Sequence, residues 1–147
     1  MANRRWTGPE SRRAPDNDRV QIRIVALQGA RSGVALGVCA VVLAVLGLTP
    51  SLAWIPEAPL LGAAVLVPVA ILGWTGFRVA SRSSRLVAGV LAAALSGAIG
   101  GAVGGVAYLL FGKPALNVLV GLLTGAIGGA TIGFLGALGT RRRVGGA

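Results

Sequence analysis

The chain has 147 residues, a single-domain length, with 54% hydrophobic residues, 12% charged residues and a formal net charge of +10. A soluble domain carries about twice that charged fraction. Here short basic clusters alternate with long apolar runs, a membrane-protein pattern that argues against a nucleic-acid surface; no nucleic-acid partner is expected. There is no histidine and one cysteine, Cys39. No disulfide within the chain is possible, and one chain cannot supply a zinc, haem or iron–sulfur ligand set, so no metal and no cofactor are expected.

Residues 1–19 are polar, proline-containing and charged, and bury too little apolar surface to fold alone, so they read as a disordered basic tail. "SRR" at 11–13 and "LGVC" at 36–39 resemble a twin-arginine signal and a lipobox only loosely, and neither processing event is expected. Residues 20–32 read as an interfacial helix, with Val20, Ile24 and Leu27 on one face. Arg19, Arg23 and Arg31 are then expected to meet anionic headgroups, each worth about 1 kcal/mol near the surface.

The transmembrane domain is expected over 33–139, as four helices at 33–54, 58–77, 86–111 and 115–139, each near the roughly 20 residues that cross a bilayer. Pro50 should break or kink the first, and Pro68 should kink the second. "FGKPA" at 111–115 is a tight turn that makes the last two spans an antiparallel hairpin. A basic tail, 140–147, follows.

The charges orient these spans. Seven arginines precede the first span, Arg78, Arg82 and Arg85 lie in the second loop, and Arg141, Arg142 and Arg143 lie in the tail; the other side holds only Lys113. The positive-inside rule therefore predicts both termini in the cytoplasm. Trp54, Tyr108 and Phe111 fall at outer span ends, and Trp74 and Phe77 near an inner one, where such rings prefer the headgroup boundary. Arginine supplies thirteen of the fourteen basic residues, a bias read as that of a GC-rich, bacterial genome, with the inner membrane as the expected location.

"LSGAIGGAVGG" at 95–105 and "LTGAIGGATIG" at 123–133 nearly repeat each other, and the wider match of 89–112 to 117–140 is identical at 11 of 24 positions. Gly97, Gly101 and Gly105 recur every fourth residue, as do Gly121, Gly125, Gly129 and Gly133. Residues four apart share a helical face, so each helix gains a groove without side chains. In lipid, close packing of such grooves holds helices together. Gly100 and Gly128 lie roughly 20 and 22 Å from Lys113 at about 1.5 Å per residue, so the two patches share a depth, and a glycine-zipper hairpin is predicted. Gly29, Gly33 and Gly37 form a third series that seats another helix. The hydroxyls of Ser96 and Thr124 hold matching positions; they either bond across the interface or return to the carbonyl one turn earlier, the commoner outcome.

No acidic or basic residue lies inside these four spans, which argues against a proton pathway. The hairpin resembles the rotor-ring subunit of rotary ATPases, and the four-span size is similar to small multidrug transporters. Each of those families carries a membrane carboxylate that is missing here, so neither is adopted. No nucleophile–base pair is present and no catalytic residue is proposed. The expectation is an all-α integral membrane bundle that acts as a structural, accessory or assembly subunit, in contact with anionic lipid and with another membrane subunit or further copies of itself. An oligomeric pore, and then a small transporter or lipid-binding protein, are the alternatives.

Overall fold

The structure, a computed structural model, describes residues 14–48 and 57–144. They form four helices: α1 (Ala14–Leu48), α2 (Glu57–Ser83), α3 (Leu86–Leu110) and α4 (Leu116–Val144). All four are long and apolar enough to cross a membrane, over Arg19–Leu46, Ala58–Ser83, Leu86–Leu110 and Leu116–Thr140. The chain is therefore an all-helical, multi-pass membrane protein.

The sizes of the side chains are sorted in the sense a bilayer requires. Most of the fully buried residues are small: Ala92, Ala93, Ala137, Ser96 and Thr75. Large aliphatic residues such as Leu66, Val87 and Ile127 face outward. Lipid is as apolar as leucine, so large side chains gain little by turning inward, while small ones let backbones approach. All four helices meet where Leu36, Leu72 and Ala93 pack with Ile132. A second cluster joins Val79, Ala88 and Ala92 with Val25.

The two described turns have different chemistry. Only Ser84 and Arg85 separate α2 from α3, and Ser84 adopts a left-handed conformation with φ 54°. The Ser83 hydroxyl donates to the Val79 carbonyl at 2.8 Å and accepts from the Arg85 amide at 3.4 Å, which ties the turn to the helix end. Between α3 and α4, Gly112 has φ 75°. Its amide donates to the Leu109 carbonyl at 3.0 Å, and the Lys113 amide donates to the Tyr108 carbonyl at 3.2 Å. That pair of bonds is a Schellman motif, with glycine in the position that needs the left-handed conformation.

Three spans begin or end near their expected limits. The first differs. Residues 20–32 and the first span form one continuous helix, which already begins at Ala14, within the segment expected to be disordered. The helices run past the expected spans, which themselves hold no Asp, Glu, Lys or Arg: Arg19, Arg23 and Arg31 lie within the first membrane-length segment, and Arg78 and Arg82 within the second. Long arginine stems lie along apolar surface while the guanidinium reaches toward water, so a helix continues through them. α2 continues through Pro68 as a single helix. Residues 1–13, 49–56 and 145–147, with Trp54 and the outer end of the first expected span, lie outside the described residues.

Candidate functional site

The sequence offers no polar cluster to build a site from, so the functional surfaces are the seams where backbones meet. Along α3 and α4 the facing pairs are reciprocal. A methyl group added to Gly97 would overlap the Gly125 carbonyl oxygen, and one added to Gly125 would overlap that of Gly97. Gly101 and Gly121 stand in the same relation. Gly129 and Gly133 meet Ala93, and Gly105 meets Asn117 and Val118, with its absent β-carbon 2.5 Å from the Val118 α-carbon.

These contacts obey an internal symmetry. Exchanging each α3 residue with the one 28 positions later in α4, and the reverse, returns Gly97–Gly125 to itself. It turns Gly101–Gly121 into Ala93–Gly129, and Gly105–Asn117 into Gly89–Gly133, which are also contacts. The sequence repeat is thus realised as a pseudo-two-fold hairpin whose axis passes between Gly97 and Gly125. Ala93 breaks the symmetry, since its counterpart is Gly121.

The third glycine series lies on the far flank of α3. Positions Gly29, Gly33 and Gly37 face Leu95, Ile99 and Val103 in order, so α1 and α3 run parallel. In return, Leu36 fills the space beside Gly100, and Ala40 the space beside Gly104. The Ser96 hydroxyl closes this seam. It is fully buried and has two acceptors in reach, the Gly29 carbonyl on α1 at 2.9 Å and the Ala92 carbonyl at 2.8 Å. Thr124, its counterpart on α4, is exposed and bonds only within its own helix, to the Val120 carbonyl at 2.7 Å and that of Gly121 at 3.3 Å. Both hydroxyls therefore reach the carbonyl one turn earlier, and Ser96 alone also reaches a second helix, which is α1 and not α4.

α2 completes the bundle through positions not singled out in the sequence. Gly76 abuts the Gly133 backbone, Gly136 abuts Gly73, and the position beside Gly89 holds the Gly76 carbonyl, 2.5 Å from where a β-carbon would stand. Thr75, 1% exposed, lies 2.9 Å from the Ser32 hydroxyl of α1 and 2.7 Å from the Ile71 carbonyl. With its hydrogen on the carbonyl, its oxygen accepts from Ser32. The signal that could have found these contacts is present, since Gly73, Gly76, Thr75 and Ala80 share one region of α2, but only Gly76 and Ala80 are four apart and no longer series of small residues extends from them within that helix.

The arginines gather at one end. The start of α1, the α2–α3 turn and the end of α4 lie together because α1 and α3 run parallel while α4 returns. Arg19, Arg23, Arg78, Arg82 and Arg85 are exposed, and Arg141, Arg142 and Arg143 lie in the last turns of α4. Arg31 is set apart. It falls between the Gly29–Leu95 and Gly33–Ile99 contacts, roughly 16 Å along α3 from Leu86 at 1.5 Å per residue. It is exposed, and helical spacing puts it on the side of α1 away from α3. Trp74 and Phe77 stack beside Arg78, with ring centroids 5.9 Å apart.

In comparisons with protein-family models, curated proteins and solved structures, no match to this chain is found.

Proposed function

We propose that this chain is a structural or assembly subunit of a membrane complex, built on a glycine zipper between α3 and α4, with both termini in the cytoplasm of a bacterial inner membrane. The arginine asymmetry supports the orientation. One observation carries the assembly reading. The face of α3 that α1 covers has a counterpart on α4, made of Leu123, Thr124, Ile127, Gly128 and Thr131, and that counterpart is bare. Gly100 is filled by Leu36, whereas its counterpart Gly128 has no atom within 4 Å. Ile127, counterpart of the covered Ile99, is 69% exposed. A face shaped to seat a helix, and seated on one half of the repeat only, is a docking face for a helix from a second copy or another subunit.

The test is purification in mild detergent from the native host, with wild type beside Gly128→Leu. A complex or oligomer that Gly128→Leu dissolves, while the helical content stays unchanged, is expected. A lone wild-type monomer would overturn the proposal.

A second reading is favoured by Thr124 and Thr131, which flank Gly128 on the bare face and are exposed. In a ring of copies they would give an otherwise apolar surface a polar lining, as a pore requires. Dye leakage from vesicles holding the assembled protein, abolished by Thr124→Val with Thr131→Val, would select this reading over a purely structural one.

A further inference from the structure

We propose that the groove between α1 and α3 at the arginine-rich end is a binding site for a single anionic glycerophospholipid. The groove, about 510 Å³, is lined on α1 by Gln21, Ile22, Val25 and Ala26, and on α3 by Arg85, Val87, Ala88, Leu91 and Leu95. Because the two helices run parallel, its chemistry is graded along its length. Gln21 and Arg85 lie at the end nearest the basic surface, and Leu91 and Leu95 lie at the deep end. The ten residues from Arg85 to Leu95 cover about 15 Å, half of the roughly 30 Å of hydrocarbon and so the depth of one leaflet. A polar mouth above an apolar trough of that depth has the polarity of a phospholipid, phosphate at Arg85 and an acyl chain along Val87, Leu91 and Leu95.

Charge favours an anionic headgroup. Arg19 and Arg23 share a helical face with Ile22 and Ala26, at the rim of the groove. Among the described residues this end carries Arg19, Arg23, Arg78, Arg82 and Arg85, and the acids Asp16 and Asp18. The trough faces the bilayer, since Ile22, Val87 and Leu91 are each more than half exposed. A second groove on the same pair of helices, about 280 Å³ at Val34, Val38, Val41 and Val103, has no polar or charged lining residue. It offers room for a chain and nothing for a headgroup, which is the contrast the proposal needs. The site rests on the membrane location of the chain and not on its assembly.

The experiment is native mass spectrometry of the full chain in mild detergent, with phosphatidylglycerol and phosphatidylcholine of identical acyl chains in equal amounts. One phosphatidylglycerol per chain is expected, at a preference of about fivefold or more, the size of one arginine–headgroup attraction. Arg85→Gln should remove the preference. Ala26→Trp, which fills the trough from an exposed position, should remove retention of both lipids, and Leu123→Trp on α4 should change neither. Equal retention of the two lipids, or unchanged retention in Ala26→Trp, overturns the site. A copurifying protein that occupies the groove in place of lipid also overturns it. Release of the chain from membranes by alkaline carbonate would instead defeat the membrane reading itself.

Discussion

Gly97 and Gly125 each occupy the space that a side chain on the other would need, and the pseudo-two-fold axis of the hairpin passes between them. No rearrangement of side chains can relieve a substitution there, because the obstacle on either side is a carbonyl oxygen of the facing backbone.

Gly97→Ala and Gly101→Ala are therefore predicted to lower stability by about 1–3 kcal/mol, the range for forcing extra atoms into a packed interior. Gly62→Ala and Gly128→Ala meet open space, and should be neutral or up to about 1 kcal/mol more stable through helix propensity. Unfolding in mixed detergent micelles, followed by circular dichroism, measures the difference. Equal tolerance at all four positions would sink the packing account.

Along α1 a graded response is expected. A β-carbon at Gly29 would stand 2.9 Å from the Leu95 Cδ2, the tip of a side chain that can rotate, with the Ala92 carbonyl oxygen next at 3.1 Å. At Gly33 it would stand 2.8 Å from the Ile99 Cβ, which moves only with its helix. Gly33→Ala should therefore cost more than Gly29→Ala, by roughly 1 kcal/mol given the size of overpacking penalties. The same unfolding assay ranks the pair, and the reverse order would contradict the described register of α1 on α3.

The matched hydroxyls should separate in the same assay. Ser96→Ala removes a bond between helices and is expected to cost about 0.6 kcal/mol, up to about 1.7, the range measured for such bonds in a membrane bundle. Thr124→Ala removes a bond within one exposed helix and should stay within about 0.5 kcal/mol of wild type. Equal effects would mean that Ser96 spends its hydrogen on Ala92 alone.

At the α3–α4 turn, Gly112→Ala is predicted to cost about 1–2 kcal/mol, because an L side chain at φ 75° clashes with the following carbonyl. Gly112→Asn should recover part of the loss, since asparagine tolerates that conformation better. Failure of asparagine to outperform alanine would point away from the backbone as the cause.

How much of this could be read from the chain varies by feature. α3 was legible to within one residue at both ends and α4 at its start, because a glycine-rich apolar run bounded by Arg85 and by "FGKPA" has few other readings; α4 runs on to Val144, past the expected end at 139. The start of α1 was not. Arg19, Arg23 and Arg31 were read as the edge of a span, yet the backbone has no reason to stop at them: no proline falls between Pro15 and Pro50. Equal depth for Gly100 and Gly128 pointed to α3 packing on α4, but those two do not face each other. Gly100 meets Leu36 of α1, Gly128 meets nothing, and the facing pair is Gly97 with Gly125. Counting along one helix gives depth; which face is turned inward depends on every neighbour at once. The Ser96–Gly29 bond was out of reach for the same reason, as it follows only from the register of two helices far apart in the chain.

That separation has a kinetic meaning. α3 and α4 are joined by five residues, whereas Ser96 and Gly29 are 67 apart. Loop-closure entropy grows with the length enclosed, so the hairpin is expected to form ahead of the seam on its far side. α1 is then expected to dock last. Until it does, the α3 face beside Gly100 is as empty as the face beside Gly128 remains, and the newborn protein presents two vacant seats where the finished one presents a single vacancy.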